Sequence, residues 1–149
     1  QEEYLSLARM VAHKTYISLD LLSERAKAES KYMDNEMGYF LKTPQESYMM
    51  HQGEKFIERF NADSYRTIIN AWQNFKIDEK DIKKLNGKEV LVLSVDSDVC
   101  FYPEEQTELV DILELNDVCV NYSLLHSDKG HDAFLLEPDI FFEPISTYL

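Results

Sequence analysis

The chain is short of cysteine, of cationic side chains and of long apolar runs, and each shortage excludes a class of protein. Only two cysteines occur among 149 residues, Cys100 and Cys119. Both fall in or beside segments that read as strands, and they lack Cys-x-x-Cys spacing. Buried thiols are therefore expected, not a disulfide or a metal site. Lys and Arg number 15 against 28 Asp and Glu, a formal net charge of −13 at pH 7. Such a charge repels phosphates and anionic headgroups, so neither nucleic acid nor a membrane surface is an expected partner. No apolar run approaches the roughly 20 residues that span a bilayer, and the opening QEEYLSLARM has no charged-then-apolar signal pattern. The expected compartment is the cytoplasm. The first residue is Gln1, not Met, which points to a processed product or a piece of something longer. A chain of this length and composition can bury one sizeable core.

What is present divides into a helical half and an α/β half. In YLSLARMVAHKTY, Leu5, Ala8, Val11, Ala12 and Tyr16 recur at helical spacing, and LDLLSERAKAES continues with Leu22 and Ala26 after a break near Ile17 and Ser18. KYMDNEMGYFLKTP has no clean period and reads as a loop. SYMMHQGEKFIERF puts Met49, Phe56 and Phe60 on one helix face. SYRTIINAWQNF does the same with Tyr65, Ile68, Ile69 and Trp72, and Asn61 or Asp63 is available as N-cap. These stripes read as packing.

From Asp78 to Gly87 the composition turns charged, and the period changes after it. Val90 to Leu93 with Val95 form a continuous apolar run that suits a strand buried on both faces of a parallel sheet. Pro103 then sits at a helix N1 position, with Glu104 and Glu105 in the first turn. Val118 to Tyr122 make a second strand, and EPDIFFEPISTYL a last helix opened by Pro138 and containing Pro144. The expected architecture is α/β, helices followed by a βαβα run, divided as residues 1–78 and 79–149.

Two titratable loops follow the two strands: SVDSD, ending at Asp98, and HSDKGHD, containing His131. Gly130 can be read as a turn residue chosen for an unusual dihedral, with His131 incidental to it. Alternatively the loop presents a catalytic imidazole. Sites in open α/β sheets assemble at the carboxyl ends of strands, so an acid after one strand and a histidine after the next can meet there. An acid so placed fixes the imidazole tautomer, and the histidine takes a nucleophile's proton. Asp96 is the rival acid. His13, His51 and His126 read as structural.

Four blocks, LARMVAHKTYIS, ESYMMHQGEKFIERFNADSY, VLVLSVDSDVCFYPEEQ and SDKGHDAFLLEPD, resemble in the same order the homoserine O-acetyltransferases, which have the α/β-hydrolase fold. The resemblance implies a partial α/β-hydrolase fold, namely a helical lid followed by the last βαβα units of the parallel sheet. It makes Asp98 the triad acid and His131 the base. It places Arg9 near the carboxylate and Asp132 near the amine of homoserine. It also implies acetyl or succinyl transfer from acyl-CoA, as co-substrate, to the homoserine hydroxyl in methionine biosynthesis. No cofactor or metal is implied, and a homodimer through the lid helices is expected.

The chain departs from that pattern in two respects. It contains no Gly-x-Ser-x-Gly, and none of its serines sits in the Gly-flanked elbow that an exposed attacking Oγ requires. It is therefore expected to be inactive alone and to expose apolar sheet surface. The segment between the lid helix pairs is also shorter than is usual in the family. Two other readings stay open: an esterase or serine acyltransferase on the same fold, which need not keep Arg9 and Asp132, and a non-catalytic interaction module.

Overall fold

The computed structural model describes residues 2–29 and 43–149. Its contacts divide the chain into two compact units, Gln1–Phe75 and Lys76–Leu149. The expected loop at 31–44 lies outside the described residues as far as position 42.

The first unit is helical: α1 (Glu2–Tyr16), α2 (Leu19–Glu29), α3 (Pro44–Ile57) and α4 (Ala62–Asn74). The break after α1 has a local cause. The Ser18 Oγ accepts a hydrogen bond from the Leu21 N–H at 3.2 Å, capping the start of α2, while the Ile17 side chain turns inward and is buried. Helix α3 starts at a capping box in which Thr43 and Glu46 each satisfy the other's backbone N–H, with Pro44 in the first turn. Ile17, Leu22, Ala26 and Tyr48 form the core between these helices, with Tyr16, Leu21 and Met49 packed partly against it.

The helix faces differ from the sequence reading in detail. On α1, Leu5, Ser6 and His13 are the buried positions, whereas Val11 points outward. On α3, Tyr48, Met50 and Phe56 are buried, and Met49 only partly. The reason is the close approach of α1 to α3 at Gly53. A Cβ there would run into the Ser6 hydroxyl and lie 3.1 Å from the Ser6 carbonyl oxygen, so the face that carries Gly53 has to face α1. The expected packing stripe of α4 is a correction. Asn61 caps the helix, accepting from the Ser64 N–H at 2.8 Å. However, none of its residues is buried, and Ile68 and Trp72 are 54% and 56% exposed.

The second unit holds α5 (Glu79–Lys83), β1 (Glu89–Val95), α6 (Pro103–Glu114), β2 (Cys119–Leu125), a single 3₁₀ turn at Gly130–Asp132, α7 (Ala133–Leu136) and α8 (Asp139–Tyr148). Helix α5 occupies the charged stretch and is opened by a capping box between Asp78 and Asp81. The strands pair in parallel, from Glu89 opposite Cys119 to Val95 opposite Leu125. Helix α6 makes the crossover that parallel pairing requires. Its Leu113 is buried, as are Val92, Val95 and Val118. Leu91 and Leu93 are only half-buried, so β1 is less enclosed than its apolar run implies. Pro138 stands at the N-cap of α8 and Pro144 lies inside it. Neither cysteine is in a disulfide, and Cys100 is half-buried and Cys119 exposed, against the expected burial. Cys119 opens β2 opposite the exposed Glu89, at the end of the ladder away from the buried Val92 and Val95 of β1. Among the described residues no helix is long and apolar enough to cross a membrane.

His13 is buried at the join of α1 and α3, where its Nε2 and the Tyr48 hydroxyl share a hydrogen bond of 3.1 Å. Burial, then the positive charges of Arg9 and Arg25, lower its pKa from 6.5 to about 4. The unfolded chain therefore binds more protons than the folded one between those values. The contribution to stability is full above 6.5 and is lost as the pH falls towards 4. A proton NMR titration is expected to find the His13 midpoint near 4. Urea unfolding is expected to show an acid-side loss of stability that His13→Gln lacks. A His13 midpoint at the ordinary histidine value contradicts this.

Candidate acid–base site

The site is built by the two chain segments that leave the carboxyl ends of β1 and β2. After Val95 the chain turns back on itself, and the Asp98 N–H donates to the Val95 carbonyl at 3.1 Å. This turn tucks Asp98 inward until it is 8% exposed. A carboxylate so enclosed needs partners, and it has three. Its Oδ1 accepts from the backbone N–H groups of Cys100 at 2.8 Å and Phe101 at 2.9 Å. Its Oδ2 meets His131 Nδ1 at 2.9 Å.

His131 reaches that position from the 3₁₀ turn after β2. Gly130 has φ of 71°, in the left-handed region that glycine enters without a Cβ penalty, so its unusual dihedral and the presented imidazole are parts of one arrangement. The imidazole lies between the rings of Phe101 and Phe134, at centroid distances of 5.2 and 5.9 Å. A carboxylate oxygen accepting at Nδ1 favours the tautomer that carries its proton on that nitrogen. Asp98, His131, Phe101, Phe134, Leu93 and Ser94 line a cavity of about 490 Å³. A few polar groups in a largely apolar wall is the usual character of a ligand site.

Asp96 does something else. Its Oδ1 accepts from the Ser127 N–H at 3.1 Å, and its Oδ2 meets His126 Nδ1 at 2.5 Å. The register explains the pair, since Val95 lies opposite Leu125 and the next residues of each strand are Asp96 and His126. The hydrogen bond that His126 donates to Asp96, then the charge of Asp96, raises the His126 pKa, and the same bond lowers that of Asp96. His126 is exposed, so this pair is a rim staple in water and not an enclosed dyad.

Asp132 is half-buried in the same turn as His131. Arg9 belongs to the first unit, on α1, where its guanidinium lies over the rings of Tyr16 and Phe56 at 5.2 and 5.4 Å. Among the described residues no cluster of His, Cys, Asp or Glu is arranged to hold a metal ion. The sequence reading did not single out Phe101, Phe134 or the partnership of Asp96 with His126. An aromatic beside each half of the site was a visible signal for the rings. The Asp96–His126 pair becomes visible only once the strand register is known.

No family model matches the chain. Among curated proteins it is 37% identical over 145 residues to the homoserine O-acetyltransferase of Methanosphaera stadtmanae, covering 91% of this chain and 29% of that protein. It is 32% identical over 151 residues to the homoserine O-succinyltransferase of Nitrosomonas europaea, covering 97% of this chain and 40% of that one. The crystal structure of homoserine O-acetyltransferase from Bacillus anthracis superposes with a TM-score of 0.73 at 15% identity. That alignment takes in 97% of this chain and 40% of that protein, and it shows a partial α/β-hydrolase fold. The chain thus spans between about three-tenths and two-fifths of the length of the proteins it matches.

The Asp96–His126 pair titrates with a definite sign. Its contribution to stability is complete below the ordinary histidine pKa, provided Asp96 stays ionised, and is lost as the pH rises through the raised pKa of His126. NMR titration is expected to place His126 above 6.5, and Asp96→Asn to return it towards that value. An unchanged His126 midpoint in the variant contradicts the pairing.

Proposed function

Because the chain is a homologue of the homoserine O-acetyltransferases and O-succinyltransferases over about nine-tenths of its length, we propose that it carries the acid and the base of an O-acyltransferase. In this reading Asp98 orients His131 and stabilises its imidazolium. His131 takes the proton of a serine nucleophile as that serine attacks the thioester of an acyl-CoA. The tetrahedral intermediate collapses, the thiolate of coenzyme A leaves with the proton from His131, and an acyl-serine remains. The hydroxyl of homoserine then gives its proton to His131 and attacks the acyl group, which regenerates serine and releases the O-acyl amino acid. The pathway served is methionine biosynthesis.

The observation that carries this reading is the bond between His131 Nδ1 and Asp98 Oδ2, with the other carboxylate oxygen held by two backbone N–H groups. Nothing in a turn requires a histidine to be oriented in this way. Asp132 is assigned the ammonium of the acceptor and Arg9 its carboxylate, because a zwitterion entering an apolar site needs an opposite charge at each end. The exposed Ile68 and Trp72 of α4 support association of two copies through the helical segment.

The 149 residues hold no Gly-x-Ser-x-Gly elbow, so the nucleophile is assigned to sequence outside them. The chain by itself is expected to transfer no acetyl group from acetyl-CoA to homoserine. Joined behind the elbow-bearing segment of a relative, it is expected to turn over, and Asp98→Asn or His131→Ala to remove about 10³ to 10⁴ of the rate. Turnover by the chain alone, or a joined enzyme indifferent to both substitutions, contradicts the assignment.

A further inference from the structure

The two halves of the acid–base pair leave different strands, and backbone bonds within each loop do not set the distance between them. Asp96 joins the two segments where they leave the strands, and closer to the pair a second side chain spans the gap. The Ser97 Oγ donates to the Ser127 carbonyl at 2.5 Å and accepts from the Gly130 N–H at 3.0 Å. Ser97 directly precedes Asp98, and Gly130 directly precedes His131. A single hydroxyl therefore links the residue before the acid to the residue before the base, across 33 positions of sequence.

The surroundings make this link specific. Ser127 is buried, so its carbonyl has little access to water and gains by an internal donor. Its own hydroxyl donates to Glu137 Oε2 at 2.5 Å and accepts from the Lys129 N–H at 3.0 Å, which fixes the start of the loop. The Gly130 amide, buried and in the left-handed conformation, has no strand partner to accept its hydrogen and finds Ser97 instead. Asp98 is held within its own loop by the amides of Cys100 and Phe101. For the His131 loop the Ser97 hydroxyl supplies the corresponding restraint.

We propose that Ser97 is a positioning residue that sets the Asp98–His131 hydrogen bond by clamping the two loops together. This rests on the reading of Asp98 and His131 as the acid and base. Ser97 reaches the reacting atoms only through them. Only an atom that both donates and accepts can do this from one position, which is the property of a hydroxyl and not of a methyl or a weakly bonding thiol.

The test is ¹⁵N NMR of His131 in the full chain, which reports the imidazole tautomer, combined with hydrogen exchange at Gly130. Ser97→Ala and the near-isosteric Ser97→Cys are expected to shift His131 from the Nδ1–H tautomer to a mixture and to speed exchange at Gly130 about fivefold or more. Ser97→Thr, which keeps the hydroxyl, is expected to restore both. Asp98→Asn separates the two claims. If it moves the His131 signature and neither Ser97→Ala nor Ser97→Cys does, Ser97 is not the clamp. If Asp98→Asn leaves the signature unchanged, the acid–base reading itself fails. Should Ser97→Ala lose the dispersed amide signals of β1, Ser97→Cys decides. A tautomer shift that Ser97→Thr shares equally overturns the proposal, because retaining the hydroxyl then fails to hold the pair.

Discussion

The structure depends on one short contact, the hydrogen bond between the Asp98 carboxylate and the His131 imidazole. The two groups lie 33 positions apart in sequence, so nothing local brings them together. Each is the product of a strand that ends at the same level as its partner, of a turn after that strand, and of a side chain directed back over the sheet rim. The register of β1 on β2 is therefore the constraint beneath the chemistry. A slip of one residue would turn every side chain of a strand to the opposite face and separate the pair. The Asp96–His126 staple acts at that level, joining the first residue after each strand. Two Asp–His pairs thus stand side by side with different environments. The outer one is bathed in water, and the inner one is enclosed between Phe101 and Phe134.

How much of this was legible in the sequence depended on how local the deciding physics is. Pro103 at the start of α6 and the bend at Ile17 and Ser18 are determined within a few residues and could be read directly, and the cap of α4 could be narrowed to Asn61 or Asp63. The meeting of an acid loop with a histidine loop was legible because parallel strands deliver their following loops to one rim. Ser97 was not, since its partners are backbone atoms 30 and 33 positions away, and a serine between two aspartates carries no mark of its bonds. The same limit applies to Asp96, which the pattern left as a rival to Asp98 until the register gave it a different histidine.

Burial was harder to read than period. Helical spacing located α1, α3 and α4, but which face turns inward is decided by contact between helices. Gly53 against Ser6 selects Tyr48 and Met50 on α3 over a stripe led by Met49. On α4 the stripe is real and still unburied, since a period shows that a face is apolar and not that a partner covers it. Cys119 went the other way: it looked like an interior strand residue and lies at the open end of the ladder.

The central claim is that Asp98 and His131 interact in the folded chain strongly enough to define a site. A double-mutant cycle measures that directly, with Asp98→Ala, His131→Ala and the double variant compared by urea unfolding. The account predicts a coupling of about 1 to 3 kcal/mol, the range for a charge-bearing hydrogen bond. Additivity to within about 0.5 kcal/mol would contradict it, because residues that do not touch add in that way.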